Sequence, residues 1–158
     1  MHSRALLAVS RGSARPERSL DRRPFLAHTL RVSVTVTRGI RIEAESVFVP
    51  ERSDPEGDYY FFAYRVRITN EGSETAQLLS REWVITDSDA NVERVTGPGV
   101  VGEQPLLAPG DAFEYSSFCP LRTNVGSMHG SYTMRTDGGE TFEARIDPFT
   151  LAVPGVVN

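Results

Sequence analysis

Hydrophobic and polar residues alternate along most of the chain after about residue 30. This period of two is typical of strands that bury one face and expose the other. The first clear case is VSVTVT, at residues 32–37. Its predicted core face carries Val32, Val34 and Val36, and its predicted solvent face carries Ser33, Thr35 and Thr37.

Two longer segments repeat the alternation. Residues 59–70 place Phe62, Tyr64, Val66 and Ile68 on one face. Residues 76–87 place Leu79, Trp83 and Ile85 on one face, with Arg81 in the same register. The other predicted strands are 41–50, 92–95, 112–118, 128–136 and 140–149, and most neighbours are separated by turn residues.

No segment has a convincing helical period of 3.6. Seven or eight strands with turns between them predict an all-β fold, an antiparallel β-sandwich of the immunoglobulin or fibronectin type III kind. Trp83 is the predicted core anchor. Arg81, in phase with this core face, predicts a buried ion pair or a contact with the Trp83 ring, with a ligand anchor as the alternative.

The first 27 residues differ from the rest. Residues 1–27 are rich in Arg and Ser and lack periodicity, which predicts a mobile extension ahead of one sandwich domain at 28–158. The extension is interpreted as a tail without function, a targeting peptide or a polyanion-binding arm.

Charge and composition narrow the function classes. The net charge is -4, yet residues 1–25 hold six Arg against Glu17 and Asp21, so the remainder is acidic and a poor candidate for binding nucleic acid. Cys119 is the single cysteine, which excludes an internal disulfide. No apolar run approaches the roughly 18 residues of a membrane span. We expect a cytoplasmic protein that does not bind membranes.

The segment VTGPGVVGEQPLLAPG, residues 95–110, contains Gly97, Gly99 and Gly102 in the spacing G-x-G-x-x-G. A dinucleotide site with this spacing needs a following helix, which Pro109 prevents. A P-loop needs a lysine, and the chain has none. Two interpretations stay open, namely a structural connection and an anion-binding nest of backbone amides.

Catalytic and metal chemistry have few candidate residues. The three histidines are His2, His28 and His129, and two of them lie in or beside the extension. The acids of residues 53–58 lack calcium-loop spacing. Cys119 and His129, expected on neighbouring strands, are the only Cys and His candidates for a dyad outside the extension. We expect no cofactor, no metal site and no enzymatic activity.

The strings LLSREWVITD, VTGPGVVGEQPLLAPGDAFEYSSFCPLRTNVGSMHGSYTM and FEARIDPFTLAVP resemble the ApaG family over about residues 30–154. The resemblance implies a fibronectin III-like sandwich, found in bacterial proteins and in eukaryotic F-box and polymerase-delta-interacting proteins, where it is taken to bind protein partners. It also implies a link to cobalt resistance and magnesium efflux. Phe118 departs from the small Gly expected there.

The sequence therefore predicts a non-enzymatic binding module with an unidentified protein partner. The alternative is a sensor of a phosphate-rich nucleotide or pyrophosphate. Both hypotheses use the same candidate residues, Gly97, Gly99, Val100, Val101, Gly102 and Gln104.

Overall fold

The computed structural model describes residues 8–10 and 32–156. Its strands form two sheets that enclose one hydrophobic core. The strands are β1 (Ala8–Ser10), β2 (Ser33–Thr37), β3 (Ile40–Phe48), β4 (Tyr60–Asn70), β5 (Ala76–Asp87), β6 (Val92–Pro98), β7 (Leu106–Leu107), β8 (Ala112–Leu121), β9 (Val125–Thr136) and β10 (Thr141–Ala152). Short 3-10 turns at Pro50–Arg52 and Pro55–Gly57 lie between β3 and β4.

The strand order confirms the predicted antiparallel β-sandwich. One sheet has the order β1-β8-β4-β3-β2, and the other has the order β10-β9-β5-β6, with β7 paired to β5. Every strand pairing is antiparallel. The predicted seven or eight strands agree with the eight that have five or more residues, because β1 and β7 are shorter.

Trp83 lies at the centre of the core, as predicted. Its side chain is fully buried, and its ring packs edge-on against Tyr64 at 5.4 Å, Phe149 at 5.9 Å and Tyr132 at 6.4 Å between ring centroids. These rings come from both sheets, since Tyr64 lies on β4 and Tyr132 on β9. The aromatic cluster therefore joins the two layers of the sandwich.

The predicted faces of β4 are confirmed. Phe62, Tyr64, Val66 and Ile68 are all buried. On the outer face, Arg65 bonds to Glu45 at 2.9 Å and Arg67 bonds to Glu114 at 3.0 Å. Alternation along this strand therefore separates an apolar core face from a surface of cross-strand ion pairs.

The predicted faces of β2 are wrong. Val34 and Val36 are 42% and 52% exposed, whereas Ser33 is buried. The Thr35 and Thr37 hydroxyls face the second sheet, where they accept bonds from the backbone amides of Asp147 and Arg145 on β10 at 3.2 and 3.3 Å. The polar face points inward because its hydroxyls satisfy amides on the edge of the neighbouring sheet.

The predicted core position of Leu79 is also wrong. The pairing of β5 with β9 shifts register between Leu78 and Ser80, which marks a β-bulge at Leu79. Leu78 is fully buried and Leu79 is half-buried. The bulge moves Leu78 to the core face and leaves Trp83 in the inward register beyond it.

Most of the predicted extension at residues 1–27 lies outside the described residues. Its described part, β1, pairs antiparallel with β8 beside Ser116 and Ser117. The described residues include no helix with the length and apolar character needed to cross a bilayer.

Candidate functional site

The glycine segment folds as a tight turn that begins at the end of β6, and we name residues 97–104 the glycine turn. Val100 and Glu103 exchange two backbone hydrogen bonds of 2.8 Å each. The two residues between them, Val101 and Gly102, have positive φ angles of 43° and 80°. Two residues with positive φ between a bonded pair are typical of a type I′ hairpin turn. The segment that we predicted to be a structural connection without a helix is thus a hairpin turn.

Each glycine of the spacing has a different physical requirement. Gly99 has φ of 60°, and a Cβ there would lie 2.2 Å from the Glu103 carbonyl oxygen. Gly102 has free space around it, so its positive φ is the requirement. A Cβ on Gly97 would lie 3.0 Å from the Arg81 guanidinium. The G-x-G-x-x-G spacing therefore serves a turn and close packing.

Val101 has the least favourable backbone conformation of the turn. It is β-branched, and such residues rarely adopt positive φ because the side chain crowds the backbone. Strain of this kind costs roughly 1–3 kcal/mol and is concentrated at functional sites. Val101 is half-buried at the apex, whereas Val100 beside it is 1% exposed and belongs to the core.

Three backbone amides of the glycine turn, those of Gly99, Val100 and Glu103, donate within the protein. The Gly99 amide donates to the Leu79 carbonyl at 2.8 Å. The Val100 amide donates to the Glu103 carbonyl, and the Glu103 amide donates to the Val100 carbonyl. The Gln104 side-chain amide donates to the same Leu79 carbonyl at 2.9 Å. An anion nest requires several free amides that converge, and these contacts use the donors that it would need.

Arg81 lies beneath the glycine turn. Its Nη1 donates to the carbonyls of Pro98 and Gly99, at 3.0 and 2.9 Å. The predicted ion pair or Trp83 contact is wrong for the described residues, because Arg81 instead holds the carbonyls of the turn. Asp87, the acid that flanks Trp83 on the same strand, accepts bonds from the Asp89 and Asn91 amides.

A cavity of about 220 Å³ opens between the glycine turn and β8. Its lining residues are Tyr64, Arg81, Val100, Val101, Gly102, Tyr115 and Ser117. Predicted turn residues thus share one cavity with residues from three strands of both sheets.

The tyrosines around this cavity are held in the neutral form. Burial raises the pKa of Tyr64 and Tyr115 well above 10.0, and each is raised further by the neighbouring Tyr115 or Tyr132. Burial likewise raises the pKa of Tyr132. The positive charge of Arg81 lowers all three pKa values, but the effect of burial is larger. At neutral pH these hydroxyls therefore stay protonated, and the hydroxyls of Tyr115 and Tyr132 are hydrogen-bonded to each other.

Sequence reasoning missed Tyr64, Tyr115 and Ser117 as members of the site. Their alternation with polar neighbours predicts only that they face the core. Their approach to Arg81 depends on how β8 packs against β5, and these strands belong to different sheets. The one available signal was an arginine in phase with core residues.

The Cys119 and His129 dyad does not form. Cys119 is fully buried on β8, and His129 lies on β9 in the other sheet, on the face opposite Met128 and Tyr132. Within the described residues, no three His, Cys, Asp or Glu side chains are grouped as metal ligands. The link to cobalt and magnesium stays a prediction of the resemblance.

Comparison with known proteins identifies relatives for most of the chain. The sequence model of the ApaG domain family matches residues 50–136. The chain is 52% identical to Protein ApaG of Anaeromyxobacter sp. (strain K) over 127 residues, which cover 80% of this chain and 100% of that protein. It is 53% identical to Protein ApaG of Chromobacterium violaceum over 119 residues, or 75% of this chain and 94% of that protein.

A solved structure agrees in fold. The crystal structure of an ApaA protein from Bordetella pertussis superposes with a TM-score of 0.73 at 49% identity. The match covers 77% of this chain and 98% of that chain.

Proposed function

Because the chain belongs to the ApaG domain family, we propose that it is a non-enzymatic module that binds a protein partner through the apex of the glycine turn. We define the apex as Val101 to Leu106. The proposal assigns the partner-binding surface, which the resemblance implies, to one end of the sandwich.

The strain at Val101 is the observation that carries this proposal. A type I′ turn favours Asn or Gly at the first central position, where Val101 stands with φ of 43°. Val101 packs partly against the core, and residues with such strain concentrate at functional sites, so we assign the rest of its side chain to a contact with another molecule. Valine offers such a contact two methyl groups, which Asn or Gly would lack.

Leu106 extends the apolar surface of the apex. Its side chain is 58% exposed although it directly precedes the fully buried Leu107. Pro105 lies beside it, and its carbonyl accepts the Leu78 amide at 3.0 Å, so the backbone at this position is fixed. A fixed backbone beneath an apolar side chain loses little conformational entropy when a partner covers that side chain.

The nucleotide or pyrophosphate hypothesis receives less support from this geometry. Three of the turn amides, those of Gly99, Val100 and Glu103, donate within the protein, which leaves fewer donors for phosphates. The cavity of about 220 Å³ is smaller than the roughly 300–1,000 Å³ typical of sites for drug-sized ligands.

Affinity capture with a surface variant tests the proposal. Leu106→Asp should remove the partner from a lysate capture that the wild-type protein performs. Val92→Asp is the matched control, because Val92 is also 58% exposed but lies at the far end of β6. Val100 is unsuitable because it is buried and its substitution would test folding. Equal capture by both folded variants would exclude the apex as the interface.

A further inference from the structure

The charge of Arg81 is accommodated by neutral groups and not by a carboxylate of the described region. Six arginines of the described region each bind a carboxylate at 3.6 Å or less, namely Arg38, Arg41, Arg65, Arg67, Arg94 and Arg145. Within residues 32–156, Arg81 has no such carboxylate, and its hydrogen bonds go to two neutral carbonyls. Its side chain is nevertheless half-buried, where solvent screens a charge less than at the surface.

The guanidinium also keeps unused donors. A guanidinium has five N–H groups, and the two carbonyl bonds of Arg81 both involve Nη1. The remaining donors lie on Nη2 and Nε. Because the turn carbonyls fix the plane of the group, these donors are oriented before any ligand arrives.

Arg81 lines two cavities, and the one on the Gly97 side also contains Glu82 and Glu143. The cavity beside the glycine turn has the composition of a small anion site, because no acidic residue lines it and Arg81 is its charged lining residue. Tyr64, Tyr115 and Ser117 place hydroxyl-bearing side chains in the same lining. Its volume of about 220 Å³ accommodates a small polar group with the first atoms of its chain.

We propose that this cavity is a subsite for one carboxylate group, with Arg81 as its charged ligand. The inference rests on the proposed function, because an acidic side chain of the bound partner would supply the carboxylate. One guanidinium matches the single charge of a carboxylate. A phosphate group carries about -1.5 to -2 at pH 7 and would leave charge uncompensated in the cavity.

Nuclear magnetic resonance titration of the full-length, ¹⁵N-labelled protein tests the subsite without the partner. The probes are sodium acetate, N-acetyl-aspartyl amide and inorganic phosphate, with sodium chloride added to hold ionic strength constant. We expect saturable shifts of the Val101 and Gly102 amides with both carboxylates. Phosphate should bind more weakly at equal concentration.

Two variants test whether the charge of Arg81 is needed for carboxylate binding. Arg81→Gln keeps an amide that can donate to the carbonyls of Pro98 and Gly99 but removes the charge, so the carboxylate affinity should fall at least tenfold. Arg94→Met is the control, because Arg94 lies on the exposed part of β6 and pairs with Glu82. Its carboxylate affinity should stay within twofold of that of the wild type.

The outcomes separate this inference from the proposed function. Absent or non-saturable carboxylate shifts in the wild type, tighter phosphate binding, or an unchanged affinity in Arg81→Gln would each overturn the carboxylate subsite. Leu106→Asp should keep the acetate response while it loses the partner. If the acetate response fails while capture still depends on Leu106, the subsite alone is wrong.

Discussion

The hydroxyl oxygens of Tyr115 and Tyr132 lie 2.6 Å apart in the middle of the sandwich. Tyr115 belongs to β8 and Tyr132 to β9, so this hydrogen bond joins the two sheets. Both side chains are almost completely buried. Each hydroxyl therefore depends on the other, because water does not reach them.

Removing one of these hydroxyls should destabilise the protein. Tyr132→Phe leaves the Tyr115 hydroxyl buried without this partner, and we expect a loss of about 1–3 kcal/mol in the free energy of unfolding. Urea denaturation measures the loss. The double variant Tyr115→Phe, Tyr132→Phe should lose less than the sum of the single variants, because it leaves no orphaned hydroxyl. Strict additivity would contradict the proposed coupling.

The buried tyrosines should make stability fall at alkaline pH. The pKa values of Tyr64, Tyr115 and Tyr132 are raised in the folded state, whereas an unfolded tyrosine titrates near 10. The unfolded chain then releases protons that the folded protein retains, so stability is constant below about pH 9 and declines above about pH 10. The decline is about 1.4 kcal/mol per pH unit for each such tyrosine.

Chemical denaturation between pH 7 and 11 measures this slope. Tyr132→Phe should reduce the slope by about one third, since one of the three groups no longer titrates. A profile as steep as that of the wild type would show that Tyr132 does not contribute.

Gly130 leaves no room for a side chain between β9 and β5. A Cβ at this position would lie 2.0 Å from the carbonyl oxygen of Glu82, which is a backbone atom and cannot rotate away. Gly130→Ala should therefore destabilise the protein by about 3 kcal/mol or more. Gly138 offers the control, since the nearest atom to its added Cβ is 3.9 Å away. Thermal unfolding of Gly138→Ala should stay near that of the wild type.

Much of the fold can be predicted from the sequence, because alternation directly reports which side chains share a face. The core positions of β4 and the burial of Trp83 follow in this way. Alternation does not say which face is the inner one. In β2 the side-chain preferences favoured the valines, and the inner face was assigned wrongly.

The turn after β2 contains the information that corrects this assignment. Arg38 and Gly39 form a two-residue turn with positive φ angles of 48° and 84°, so Thr37 pairs directly with Ile40. Paired residues of a hairpin share a face. Because Ile40 is buried, Thr37 must also face inward. The register of a hairpin is thus a better guide than the polarity of one short strand.

The candidate site could be predicted only in part. The glycine turn is evident from the spacing of Gly97, Gly99 and Gly102. The contact of Arg81 with that turn follows from the register of β5 with β6, which pairs Arg81 with Gly97 and which the local pattern does not reveal. The cavity forms only when the two sheets pack in one particular arrangement. The periodicity of single strands therefore cannot predict it.

The reversed face of β2 predicts opposite responses to the same substitution. Val36→Thr places a hydroxyl at a position that is 52% exposed, so the free energy of unfolding should change by less than about 0.5 kcal/mol. Val66→Thr places it in the core at a fully buried position and should cost about 1–3 kcal/mol. Guanidinium denaturation of both variants checks the difference. Equal losses would mean that Val36 is a core residue.

Val101 should limit the stability of the protein. Val101→Asn creates the Asn-Gly pair that a type I′ turn prefers, which relieves roughly 1–3 kcal/mol of backbone strain. The variant loses about 1 kcal/mol from the partial burial of valine, so a net gain of about 1 kcal/mol and a rise of about 2–4 °C in Tm are expected. Val100→Asn, at the adjacent buried position, should instead be strongly destabilised. A more stable Val101→Asn that also captures less partner would connect the strain to binding; a lower Tm would show that the strain is offset by packing.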